Sequence, residues 1–249
     1  MKKAQVTTFI IAGILIVAVI FFMLWLRGSF TTIGRQYSLE ETMDAVNQHI
    51  STCLSQVSEQ QTILIGKQGG FLNVADSSYR LYNDTKISYL CYNLDDSKKC
   101  RTRILLREDM EKYVNDNIQL LLSSCINLNT FKNNQVSIIA GNDYDVDTNI
   151  GDNTIIITLN YPVKVISKQN NAQLENSQYT SVINYPLGRL YNTALSIISE
   201  EALVGEFDPL PYMLTHQGIR IQKLRPYPDK LYILSMQGSP YIFQFAIQG

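Results

Sequence analysis

From Val6 to Leu26 the chain carries no charged residue, reading VTTFIIAGILIVAVIFFMLWL. A helix rises about 1.5 Å per residue, so this run spans roughly the 30 Å hydrocarbon layer of a bilayer. Val6, Phe9, Ile10, Leu15, Phe21 and Trp25 are the anchoring side chains expected along it, with the Trp25 indole at the distal interface. A secretory signal peptide has a shorter apolar core, about 7–15 residues, and a small-x-small cleavage site; none follows Trp25. The run is therefore expected to be a transmembrane helix with residues 1–27 as tip and span. Lys2 and Lys3 stand on one side and Arg27 and Arg35 on the other, so the basic residues barely bias the orientation.

The cysteines decide the side. There are four, Cys53, Cys91, Cys100 and Cys125. An even number after a membrane span suggests two disulfides in an oxidising compartment, with three pairings open. The preferred pairing joins Cys91 to Cys100 across a turn at Asp95-Asp96-Ser97, leaving Cys53 and Cys125 to staple two helices. Zinc would need closer Cys or His pairs, and buried free thiols are the plain alternative. The expected location is the cell membrane, single-pass, with the N-terminus cytoplasmic and the C-terminal domain outside.

Residues 28–39 read as a linker. Ser38 with Glu41 then forms a capping box for a helix over about 39–65, with Met43, Val46, Ile50, Cys53, Leu54, Val57 and Ile63 at helical spacing. Strands are expected at FLNV, YRLY, ISYLCY and TRILL, followed by a helix over about 108–124. VSIIAG and NTIIITLNYPVKVIS should form a hairpin around the acidic segment 142–153. A strand at 178–185, a helix over 186–203 and the strands GIRIQKL, KLYILSM and YIFQFAI complete the chain. The fold class is α+β: a transmembrane helix, then a mixed, mostly antiparallel β ectodomain with about three helices. The expected division is an α+β subdomain at 40–130 with all four cysteines and a β-rich subdomain at 131–249 with one helix.

Chemistry has few parts to draw on. The chain has only two histidines, His49 and His216, and no nucleophile elbow or paired-histidine metal motif. Asp143, Asp145 and Asp147 alternate like the start of a calcium loop, and they are the single metal candidate. The loop's glycine and terminal glutamate positions hold Thr148 and Thr154 instead, and on a strand the same aspartates would form one solvated face. No other cofactor is expected. Gly66-Lys67-Gln68-Gly69-Gly70 follows a helix and so reads as a stop and turn, not a phosphate cradle. Asn83-Asp84-Thr85 is a glycosylation sequon, compatible with an exterior location. A net charge of -1 gives no electrostatic footprint for nucleic acid.

Lys3-Ala4-Gln5-Val6-Thr7-Thr8-Phe9-Ile10 resembles the class III, prepilin-like leaders of archaeal surface proteins. The resemblance implies cleavage between Ala4 and Gln5; Phe9 occupies the fifth position after it, where such leaders often carry Glu. The Cys53-Leu54 helix, the Gly66-x-Gln68-Gly69-Gly70-Phe71 turn and the Met110–Cys125 helix also resemble an uncharacterised family of archaeal membrane-anchored proteins. That likeness implies a surface location and no particular activity.

These readings lead to a single-pass envelope protein with a non-enzymatic structural, adhesive or assembly role. Its partners would be the lipid bilayer and identical subunits or other envelope proteins. A pilin-like filament subunit is the alternative, although Gly28, Ser29 and Gly34 interrupt the continuous helix a pilin uses. A membrane-anchored hydrolase is the reading from another class, and needs two carboxylates roughly 5–10 Å apart in a cleft.

Overall fold

A computed structural model describes residues 39–74, 78–92 and 100–249. The anchor run Val6–Leu26, the leader junction at Ala4 and Gln5, the Ser38 cap and the Asp95-Asp96-Ser97 turn lie outside the described residues. Among the described residues no helix is long and apolar enough to cross a membrane.

Helix α1 (Leu39–Lys67) buries Met43, Val46, Ile50, Cys53, Leu54 and Val57, as its spacing predicts. Further on the buried positions are Thr62 and Ile65, while Ile63 is only half-buried. An i, i+4 step from Leu54 through Ser58 reaches 62, so the helical period carries Ile63 off the stripe. Glu40 and Glu41 in the first turn and Lys67 in the last complement the helix dipole. Gly66 does not stop this helix. It lies inside it, and glycine is required there because a Cβ would collide with the Ile242 carbonyl and the Tyr241 hydroxyl. The chain turns instead at Gly69 (φ 71°) and Gly70 (φ 94°), left-handed conformations that suit glycine. Residues 71–74 consequently run as irregular chain, not the strand expected for FLNV.

Helix α2 (Arg107–Cys125) packs one i, i+4 row, Met110, Val114, Ile118 and Leu122, and leaves Tyr113 exposed. Helix α3 (Leu187–Val204) buries Leu190, Ala194, Ile197 and Ile198, and closes on Gly205 at φ 85°. A fourth helix, α4 (Pro209–Thr215), is absent from the sequence reading. Asp208 caps it by accepting from the Leu210 N–H at 3.0 Å, and Pro209 fits the first turn, where no backbone donor is needed.

The strands make two sheets. Strands β1 (Tyr79–Tyr82), β2 (Thr85–Tyr92), β3 (Arg101–Thr102), β8 (Ile219–Leu224), β9 (Lys230–Met236) and β10 (Ile242–Ile247) form the first, ordered β1-β2-β10-β9-β8 with β3 also on β2. The expected TRILL strand thus shrinks to two residues. Strands β4 (Val136–Ala140), β5 (Asp145–Ile150), β6 (Ile155–Ser167) and β7 (Gln173–Ile183) form the second. Among the described residues all pairings are antiparallel except β2 with β10, so the sheets are mixed and mostly antiparallel. That parallel pair brings strands from before and after residue 131 into one sheet.

The acidic segment is not a hairpin loop. Residues 145–150 form β5, paired along Asp145↔Asn160 to Ile150↔Ile155, while β4 pairs with the other half of the same β6 edge. Val146, Thr148 and Ile150 face inward and Asp145, Asp147 and Asn149 outward. The strand's alternation, not a loop, sets the aspartate spacing.

Two disulfides tie the elements: Cys53 to Cys125, fixing the middle of α1 to the end of α2, and Cys91 to Cys100, closing β2 onto the start of β3. This is the preferred pairing. The principal core lies between helices and sheets, with α1 touching β7, β6 and β10. Phe243 and Phe245 are fully buried at its centre, so YIFQF is a core strand and not an edge.

Candidate functional site: a buried charge cluster

Glu201 falls on the inward stripe of α3, one step of four from Ile197. Its side chain is 1% exposed. Burying a carboxylate alone costs several kcal/mol, so partners are required. Two strands provide them. Lys223 lies in register with the inward Ile219 and Ile221 of β8, and Lys230 and Tyr232 alternate on β9. Lys223 Nζ donates to Glu201 Oε1 at 3.2 Å and Lys230 Nζ to Oε2 at 2.6 Å. The Tyr232 hydroxyl and the Phe207 N–H also donate to Oε1.

A second carboxylate rims the cluster. Glu206 accepts from Lys223 and Arg225 at 2.5 Å each, and pairs with Lys230 at 3.1 Å. Partial burial opposes its charge, but Lys223 and Lys230 outweigh that and hold the Glu206 carboxyl below its ordinary value. The shift stabilises the fold above the usual carboxylate range, and that stabilisation disappears as acid protonates Glu206. Tyr232 is pushed upward, first by burial and then by its hydrogen bond to Glu201, so its hydroxyl stays protonated and donating. The lysines also donate to the backbone, Lys223 to the Phe207 carbonyl at 2.8 Å and Lys230 to the Gly205 carbonyl at 2.5 Å. The whole turn after α3 is thereby clamped to β8 and β9.

A smaller counterpart joins the β1–β2 hairpin to the segment entering β9. Asp229, with its side chain 5% exposed, accepts from Arg80 Nη1 at 2.6 Å and from the Tyr89 hydroxyl at 2.7 Å. Burial, followed by that hydrogen bond, pushes Tyr89 up to about 12. In both clusters every ionised group meets a fixed partner. Such an arrangement holds elements together and specifies their packing; it offers no carboxylate standing free for proton transfer.

The residues singled out from the sequence lie elsewhere and apart. Asp145 and Asp147 stand on one face of β5, about 7 Å apart along the strand, with Asp143 before it. Among the described residues no three His, Cys, Asp or Glu side chains gather to hold a metal. His49 accepts from the Asn127 N–H at 3.4 Å and packs on Phe131. His216 stacks on Tyr212 at 3.9 Å, bonds Thr215 Oγ1, and closes α4 as its C-cap through its backbone N–H, which donates to the Tyr212 carbonyl at 2.9 Å. One depression of about 450 Å³ is lined by Leu105, Asp109, Lys112, Tyr113 and Asp116. Its two carboxylates are two helical turns apart on α2, about 10 Å along the axis, with Lys112 between them.

Helical and strand periodicity could have flagged two members of the cluster as inward-facing, though not their meeting. Extending the α3 stripe from Ile197 and Ile198 reaches Glu201, and extending β8 from Ile219 and Ile221 reaches Lys223. The fold these sites sit in is an α+β domain of two sheets braced by helices and two disulfides. Compared with known proteins, the chain matches no family model, no curated protein and no solved structure.

Proposed function

We propose that this chain is a membrane-tethered extracytoplasmic domain with a structural, adhesive or assembly role in the cell envelope. The observation that carries the reading is the pair of disulfides, closed within the domain that follows the apolar run Val6–Leu26. Disulfides persist where the surroundings are oxidising, and a chain whose first segment is a membrane anchor reaches such surroundings directly. The buried ion clusters fit a domain built to keep its shape outside the cell. Leu203, Val204, Leu210 and Leu214 stand 60–79% exposed at the end of α3 and on α4, the type of aliphatic surface through which a domain meets other proteins.

Anchoring is tested by alkaline carbonate extraction of membranes from cells making either the full chain or a chain begun at residue 39. The full chain is expected to stay in the membrane pellet and the shortened chain to leave it. A full chain that washes out with the peripheral proteins would overturn the tether.

A further inference from the structure

The β1–β2 hairpin turns through two residues, Asn83 (φ 46°) and Asp84 (φ 59°), between the paired Tyr82 and Thr85. Positive φ at both positions is the type I′ turn that closes two-residue hairpins. Asn83 and Asp84 are exposed, and Thr85 is half-exposed at the start of β2. The turn's preferences account for Asn83 and Asp84. Thr85 is β-branched and suits the strand it opens, and its hydroxyl donates to the Asn83 carbonyl at 3.4 Å, at the surface beside the turn.

Asn-x-Thr is the acceptor pattern for glycosylation of extracytoplasmic chains, and Asn83 begins the one such triplet in the sequence. We infer that Asn83 carries an N-linked glycan, an inference that rests on the extracytoplasmic reading above. The donor is a lipid-phosphate-linked oligosaccharide. A bond forms between Asn83 Nδ2 and the first sugar's anomeric carbon, that carbon's bond to the phosphate oxygen breaks, the amide nitrogen gives up a proton, and the lipid phosphate leaves.

The position also gives the glycan a physical task. Among the described residues β1 is the outer strand of its sheet, and Leu81 on it is 61% exposed. An uncovered edge strand invites pairing with another chain. A sugar chain rooted at the hairpin tip sterically bars that approach and hydrates the exposed apolar side chain.

The test is mass spectrometry of the Asn83 peptide from native full-length protein, read beside the cystine-linked peptides of the same digest. The expected result is a ladder of sugar increments on Asn83, lost entirely in Thr85→Val and kept in Thr85→Ser. Both substitutions leave the turn residues in place, so neither depends on a variant that fails to fold. An unmodified Asn83 in protein whose Cys53–Cys125 and Cys91–Cys100 peptides are linked would overturn the glycan and leave the location standing. An unmodified Asn83 with four free thiols would overturn both.

Discussion

Replacing Glu201 with alanine is expected to lower the unfolding free energy by about 3–5 kcal/mol, the loss that follows when one partner of a buried ion cluster is removed. The reason is geometric. Lys223, with its side chain 7% exposed, and Lys230, at 17%, would keep their charges while losing the carboxylate between them. The Tyr232 hydroxyl and the Phe207 N–H would lose their acceptor in the same step. Glu201→Gln keeps an acceptor for those two neutral donors, so its loss should be smaller. Exchanging Glu201, Lys223 and Lys230 together for apolar residues of similar volume should recover much of the stability, because the buried lysine charges leave with the carboxylate and Glu206 keeps Arg225. The check is the urea midpoint followed by circular dichroism. A Glu201→Ala midpoint equal to that of the parent would contradict the burial of the cluster.

Removing the Cys53–Cys125 link should cost more than removing Cys91–Cys100, because the loops differ in length. Their sequence separations are 72 and 9 residues. Loop-closure entropy then gives about 4 kcal/mol for the long link and about 2.5 kcal/mol for the short one. Cys53→Ala with Cys125→Ala, compared with Cys91→Ala and Cys100→Ala, separates the two by equilibrium unfolding without reductant. Cys53 and Cys91 are both buried, so the alanine pairs lose similar apolar contact and the difference reports the loops. An equal loss from the two pairs would show that the long link does not restrain the unfolded chain.

Among the described residues the three long helices were legible from one sequence because each carries its apolar row at helical spacing, and four of the last five strands alternate or run apolar as strands do. Three features were harder for separate reasons. β5 hid behind its charge: Asp145, Asp147 and Asn149 suggested a loop, although Val146, Thr148 and Ile150 supplied the strand's inward alternation. α4 is short and begins Pro-Leu-Pro, and two prolines in three residues read as a break unless the Asp208 cap is noticed. The parallel pairing of β2 with β10 brings together residues such as Tyr89 and Ala246, and no local pattern reports so distant a contact.

The candidate site was partly legible in the same sense. Glu201 and Lys223 continue apolar stripes that the sequence makes visible, so periodicity could have reported their burial although it was not read that far. It could not have reported their meeting, which depends on how α3 crosses β8 and β9. Of the aspartates that drew notice through spacing, Asp145 and Asp147 lie on the outward face of β5 and Asp143 lies before the strand.

Treating intact cells with a membrane-impermeant amine-reactive label, then repeating after lysis, tests the central claim most directly. Lys112, Lys132 and Lys168 are exposed on the domain and offer well-separated targets. A domain held outside the membrane is expected to be labelled at these lysines in intact cells as fully as after lysis. Labelling that occurs only once the cells are broken would place the domain inside and contradict the account.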